Sequence, residues 1–486
     1  MSGFAAAAVG AYLVAILAVG VLSRRARRSD SLADFYLAAR DLGGFTLLLT
    51  LYATQFSGNT LLGYPGEAYR QGFAWVMSAG FMTAIIVVYL LFAPRLHVHA
   101  KRFGYVTPGD WVAHRFGSPA LALVANVLMV VALANYLLAQ LMAMGHVAAG
   151  LSGGSVPYWA GVVVFTLVII VYETLGGMRA VAWTDGGQGL MLIAGLGGIL
   201  LAVTPTPAHL ADVTRWIMEH EPAKAALPSA DTTVTWASTL VLIGFSAAVY
   251  PHAIQRVYAA RSLGTLRRSL AVMAFMPLVT TVPVFLIGIV SIQQLSGLEG
   301  TAADRVMPLL MANWAAQSPL MYALALLVML AVLAAIMSTA DSVLLTLSSI
   351  LAKDLFGPWL LPGAPEARLT SLGKKLSWAV VAALVAVAVA PRITLWGLIE
   401  LKMELLIQVS PLFVLGVTWP RLGARGALSG LCTGVAISVA LPVLGYPRPL
   451  GIHAGVIGWA ANLLICRASA REPARRSSRE RAAAGS

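Results

Sequence analysis

Ala53-Thr-Gln-Phe-Ser-Gly-Asn-Thr-Leu-Leu-Gly-Tyr64, followed at once by Pro65 and Gly66, decides how the rest of the chain is read. The run from Phe45 to Leu51 is apolar enough for a membrane helix, yet from Thr54 onward hydroxyls, an amide and glycines stand where lipid demands apolar side chains. A helix interrupted at membrane depth survives only where protein or water satisfies its freed amide and carbonyl groups. Such carbonyls are hard ligands suited to a cation. The stretch therefore predicts a broken helix facing a cavity.

Composition agrees. Of 486 residues, 59% are hydrophobic and 11% charged, against about 25% charged in an average globular domain. Apolar runs fall at about Phe4 to Leu22, Gly43 to Leu62, Ala74 to Phe92, Leu121 to Val147, Tyr158 to Tyr172, Gly186 to Val203 and Trp236 to Tyr250. Six more lie at about Leu270 to Val290, Leu320 to Leu351, Trp378 to Ala390, Leu395 to Val417, Ala427 to Leu444 and Gly451 to Cys466. Thirteen segments predict an all-α polytopic membrane protein.

The formal charge of +13 could suggest nucleic acid, but Lys and Arg sit in short loops and the tail. With the link after the first segment placed in the cytoplasm, twenty-six of the 33 fall inside and six outside, while Lys402 lies within a segment. That bias predicts the N-terminus outside and the C-terminus inside. The expected locale is a plasma membrane, with lipid as the surroundings and no nucleic-acid partner. The first run lacks a preceding basic region and a small-residue cleavage site, so it reads as a retained helix rather than a signal peptide. Residues 1–466 read as one transmembrane domain and 467–486 as a basic, disordered tail. Cys432 and Cys466 lie in apolar runs and support neither a disulfide framework nor a thiolate metal site.

A second interruption, Gly244-Phe-Ser-Ala-Ala248 running into Tyr250-Pro251-His252, stands five segments after the first. Paired interruptions point to inverted repeats, about 43–203 and 234–417, with a site at the midplane. No nucleophile elbow, phosphate loop or metal-ligand spacing suggests an enzyme.

Gly176-Gly-Met-Arg-Ala-Val-Ala-Trp-Thr-Asp185-Gly-Gly-Gln188 strongly resembles the corresponding turn of the sodium:solute symporter family. Further matches are Asp34 to Arg40, Gly63 to Tyr69, Tyr136 with Gln140, Pro251 to Arg256 and Ala334 to Ser342. The resemblance implies a leucine-transporter-like fold of thirteen helices in a 5+5 inverted repeat with extra helices. It also implies co-transport of sodium with a sugar, amino acid, vitamin or carboxylate.

By the same resemblance, a sodium site would use the carbonyls of Ala53, Phe56 and Ala335 and the hydroxyls of Ser338 and Thr339. Asp185, Asp341 and Ser342 stand where some members bind a second cation. The bland reading is that such hydroxyls bond to their own backbone, that Asp185 caps a helix, and that Asp341 pairs with Arg179. Many members carry an aspartate at the position of Gln55, so coupling cannot use a carboxylate there.

The solute cavity is expected among Gln55, Ser57, Asn59 and Thr60, Asn135, Tyr136 and Gln140, and Gly244, Phe245 and Ser246. The lining Gly-Phe-Ser-Ala-Ala lacks an aromatic gate, which favours a small carboxylate, amino acid or vitamin over a sugar. Glu400, Glu404 and Gln408 recur every four residues and share a stripe. Glu404 and Gln408 are candidates for gating or coupling, whereas Glu400 and Lys402 read as snorkelling residues near the outer end. His252, Gln255 and Arg256 read as anchors at the inner mouth. A proton-coupled symporter and a solute sensor working with a separate partner are the alternatives.

Overall fold

The computed structural model describes residues 3–26, 29, 31–203, 207–390 and 394–469. The basic tail read in the sequence lies outside them beyond Ser469. The described chain is helical almost throughout, and its only β-bridge joins Leu42 to Ala260.

The elements that position the site are α1 (Gly3–Arg25), α2 (Gly44–Gln55), α3 (Tyr64–Gln71), α4 (Phe81–Phe103), α5 (Pro119–Leu151) and α6 (Tyr158–Val203). They are followed by α7 (Ala230–Ala247), α8 (Pro251–Ala259), α9 (Leu263–Met273), α10 (Thr281–Gln294) and α11 (Pro319–Ile350). The last five are α12 (Glu366–Ala388), α13 (Leu395–Leu406), α14 (Ser410–Thr418), α15 (Ala424–Val443) and α16 (Ala454–Ala468).

Local chemistry starts and stops these helices. α5 and α11 both open with Ser-Pro: the Ser118 hydroxyl accepts from the Leu121 amide at 3.3 Å and the Ser318 hydroxyl from Met321 at 3.2 Å. Proline then occupies a first-turn position that needs no amide donor. α1 ends at Arg24 and Arg25, cations at the negative end of the helix dipole.

All thirteen apolar runs coincide with helix, but eight helices of the described chain are long and apolar enough to cross a membrane, or nine if the bent pair α7–α8 is one span. The difference has structural causes. α2 stops at its break, a tight turn at Ile407–Val409 parts α13 from α14, and α16 has 15 residues. The fifth and sixth runs, expected as two segments separated by a polar turn, are one helix of 46 residues, α6. Gly177 alone departs from helical geometry there, at φ 57°. A Cβ at Gly177 would stand 2.5 Å from the Phe35 carbonyl, so both backbone angle and space require glycine. Asp185 consequently sits inside α6 and is not a helix cap.

α11 packs along α6 and α5, and α2 lies against α6. Every residue of α11 from Ala331 to Ile350 is buried, which fits a central helix surrounded by others. α15 and α16 pack mainly on each other at the periphery.

Candidate functional site

α2 ends where Phe56 adopts extended geometry, φ −92° and ψ 91°, and a wide helical turn at Asn59–Gly63 leads into α3. The break is tightly built. The Gly58 amide donates to Gln140 Oε1 at 3.0 Å, and a Cβ on Gly58 would lie 2.6 Å from Ile336 Cγ1. Thr339 of α11 donates its hydroxyl to the Thr54 carbonyl at 3.3 Å and to the Ala335 carbonyl at 3.1 Å. The two helices that carry the predicted sodium set thus touch at Thr54, between Ala53 and Phe56. Ala53, Phe56, Ala335, Ser338 and Thr339 are all buried, and no cluster of three His, Cys, Asp or Glu exists among the described residues. A cation at this break would be held chiefly by neutral oxygens, which suits a small monovalent ion.

A charged network lies next to it. The Ser338 hydroxyl donates to Asp185 Oδ1 at 2.5 Å, and Arg256 Nη2 lies 3.3 Å from Asp185 Oδ2. Arg256 also donates to the Thr50 hydroxyl at 3.0 Å, to the His252 carbonyl at 3.1 Å and to the Ser342 hydroxyl. Asp341 accepts from the Tyr172 hydroxyl and from Ser342 at 3.1 Å. Three expectations change here. Asp185 is wholly buried rather than capping an exposed helix end. Asp341 is bonded by hydroxyls, while Arg179 pairs with Asp34 at 2.8 Å instead. Arg256, read as an anchor at the mouth, is fully buried between Asp185 and Ser342, two of the residues expected at a second cation site.

Beside the break lies a cleft of about 470 Å³, part of it continuous with solvent. Gln55, Phe56, Ser57, Thr60 and Tyr64 of the broken helix line one wall, and Phe81, Met82 and Ile85 of α4 a second. Tyr136, Ile243, Ala247, Tyr250 and Thr281, with Ile399, Lys402 and Met403 of α13, complete it. Tyr64, Trp75, Phe81 and Trp396 interlock at one end of the cleft, with the Trp75 and Trp396 rings 4.7 Å apart. Beyond them a separate vestibule opens among Gln71, Trp75, Thr235, Trp396 and Arg448.

Of the predicted solute residues, Gln55, Ser57, Thr60 and Tyr136 line the cleft. The side chain of Asn59 lies outside the described residues. Gln140 is spent on holding Gly58, and Asn135 does not reach the cleft. On α7 the expectation fell on the wrong face. Gly244 packs against Ala84, the Phe245 ring lies tilted against that of Trp459 at 4.4 Å, and Ser246 donates to Met403 Sδ at 2.7 Å. Ile243, Ala247 and Tyr250, at i, i+4 and i+7, form the lining instead. Aromatic rings close one end of the cleft all the same, from elements far from Gly244 in sequence, so the lining of α7 is no argument against a sugar.

α13 has the same two-faced character. Glu404 accepts from the Gly455 amide and lies 3.0 Å from His453 Nδ1, and Gln408 donates to Ser438 at 3.0 Å and to the Gly455 carbonyl at 2.8 Å. This stripe ties α13 to the peripheral pair α15–α16 and does not touch the cleft. Lys402, expected to snorkel, is 2% exposed and faces the cleft. The available signal was a lysine inside an apolar run, with Ile399 and Met403 beside it on the same face.

The profile of the sodium:solute symporter family matches residues 35–434. The sodium/pantothenate symporter of Escherichia coli is 27% identical over 461 residues, covering 91% of each chain. A high-affinity proline transporter of Bacillus subtilis is 26% identical over 90% of this chain and 92% of its own. A solved structure of a Na+-coupled sialic acid symporter, substrate-bound and outward-open, superposes with a TM-score of 0.78 at 18% identity, covering 97% of this chain and 99% of that one.

Proposed function

The chain belongs to the sodium:solute symporter family, and from that membership we propose that it imports a small organic solute with sodium by alternating access. The solute, a carboxylate, amino acid or vitamin in preference to a sugar, as the pantothenate and proline named for the relatives suggest, occupies the cleft beside the first helix break. Sodium is the co-transported substrate, held by the carbonyls of Ala53, Phe56 and Ala335 and the hydroxyls of Ser338 and Thr339. The observation that carries this reading is the contact of Thr339 with Thr54 at a break whose other side opens on the cleft. An ion bonded to both elements would hold α2 against α11 and complete the wall formed by Gln55, Ser57 and Thr60.

The second expected cation position has a different occupant in this reading. Arg256 supplies the positive charge between Asp185 and Ser342, so one sodium binds per cycle in this state. We place the aromatic cluster of Tyr64, Trp75, Phe81 and Trp396 on the outer side, as the bias of Lys and Arg requires. It is the gate that separates the cleft from the vestibule. The two repeats, residues 43–203 and 234–417, then rock about the cleft to expose it to either side. The expected locale, a multi-pass place in a bacterial inner membrane, agrees with the bacterial relatives.

Solute counterflow in proteoliposomes tests the coupling. Replacing sodium with choline is expected to abolish uptake, and undiminished uptake in choline would reject sodium coupling.

A further inference from the structure

We propose that Lys402 is the counter-charge for a carboxylate on the transported solute, and that the solute is a monoanion whose remaining surface is neutral. The inference rests on the cleft being the solute site. Its starting point is an ammonium group without an acceptor. Lys402 is 2% exposed, its Nζ lies 3.0 Å from the centre of the Tyr136 ring and 5.0 Å from that of Tyr250, and no described residue accepts a hydrogen bond from it. A buried cation left in that condition is strongly unfavourable, and two ring faces offset only part of the cost.

The protein offers no carboxylate to close the gap. Glu400 pairs with Arg448, Glu404 is held by His453 and Gly455, and Asp185 is held by Arg256. No Asp or Glu lines the cleft among the described residues. The tyrosine pair is backed by His252, which stacks on Tyr250 at 5.0 Å and adds no negative charge. The missing acceptor arrives with the solute: a carboxylate gives the ammonium the charge-assisted hydrogen bond it lacks.

The same inventory argues against a zwitterion. A free ammonium on the solute would face Lys402 with no carboxylate to receive it, whereas Gln55, Ser57 and Thr60 offer neutral donors and acceptors to hydroxyl or amide groups. An anionic solute also cancels the charge of one sodium, so transport current would report each cation beyond the first.

Thermal unfolding of the full chain in detergent tests this with matched probes: pantothenate beside its alcohol panthenol, lactate beside propane-1,2-diol, and proline and glucose, each in sodium and in choline. The expected result is stabilisation in sodium by one or both carboxylates and by none of the neutral or zwitterionic probes. Lys402→Met should weaken that response about tenfold to a hundredfold in probe concentration, and Lys402→Arg should restore part of it. Stabilisation of Lys402→Met by sodium alone, equal to wild type, shows that the variant is folded. If panthenol, propanediol, proline or glucose stabilises as well as the carboxylates, if no carboxylate stabilises the wild type, or if Lys402→Met responds unchanged, the inference is overturned. A protein indifferent to sodium itself would instead refute the symport reading.

Discussion

The two helix breaks occupy matching positions in the proposed repeats, yet opposite chemistry fills them. At the first, between α2 and α3, the contacts are neutral: Thr339 to the Thr54 carbonyl, Gln140 to the Gly58 amide, and the polar side chains of Ser57 and Thr60 on the cleft. At the second, where α7 meets α8 at a 50° bend, the protein supplies its own charge and amide. Arg256 reaches Thr50, Asp185 and Ser342, and Gln255 reaches Ser349 at 2.8 Å while accepting from Thr346 at 2.7 Å. α11 serves both, with Thr339 at the first, Ser342, Thr346 and Ser349 at the second, and Ser338 between them, bonded to Asp185, all at helical spacing. Backbone geometry thus creates two gaps. Side chains fill the second with a permanent cation, and the first is where the proposed sodium binds.

Removing the permanent filling should have the largest effect. Arg256→Met leaves Asp185 buried beside Asp341 without its cation, a loss of about 3–5 kcal/mol for a broken buried pair. The variant is expected to melt well below wild type in detergent and to lose transport. The double variant Arg256→Met with Asp185→Asn should recover much of the melting temperature, because no uncompensated charge remains. A single variant as stable as wild type would mean that the pair does not hold the second break.

A middling effect is expected where α3, the second arm of the first break, is anchored. Asp304 accepts from the Leu395 amide at 2.9 Å, at the start of α13, in a loop that packs on α3. Burial pushes its carboxyl up to about 6 from an ordinary 3.8; the Leu395 amide and Arg70 oppose this, and Glu67 adds to it. Its Oδ1 has no partner, which leaves room for the proton. The native pKa is raised, so between about pH 4 and 6 the folded state keeps a proton that the unfolded chain has released. Stability should therefore fall as pH rises through that window and level off above it. Asp304→Asn, which keeps an acceptor for Leu395, should flatten the profile; an unchanged slope would assign it to another group.

Most of the fold was legible because a membrane helix announces itself by an apolar run, and a break by glycine, hydroxyls and proline within one. The fifth and sixth runs misled because Gly177 bends the chain without ending the helix, and the polar Thr184 and Asp185 looked like a turn although Thr184 bonds back to its own helix and Asp185 faces a buried network. The site was half legible. Residues at the break itself, Gln55, Ser57 and Thr60, could be placed from their own segment. Which face of α7 or α13 meets the cleft depends on how those helices pack, and polarity gave the wrong answer on both. Ser246 and Glu404 stood out as polar, yet Ile243 and Lys402 are the residues that face inward. Arg256 was hidden for a related reason: a basic residue near a helix end reads as a loop anchor unless its buried partner from α6 is known.

The smallest change in stability, and the sharpest test of the contrast, belongs to Thr339. Thr339→Ala removes one hydroxyl that bonds to the Thr54 and Ala335 carbonyls. In the sodium-free protein the loss should be about 1 kcal/mol, the net worth of an ordinary hydrogen bond. With sodium the consequence differs, because the ion loses a ligand that nothing nearby replaces. The sodium concentration for half-maximal counterflow should rise severalfold, and the stabilisation that sodium confers should shrink in step by mass action. The equivalent truncation at the second break, Ser349→Ala, should cost similar stability and leave the sodium requirement where it was. If both variants shifted the sodium requirement equally, the ion would not belong to the first break, and the division of labour between the two gaps would fail. If neither did, the neutral oxygens of Thr339 and its neighbours would have to be given up as the cation's ligands.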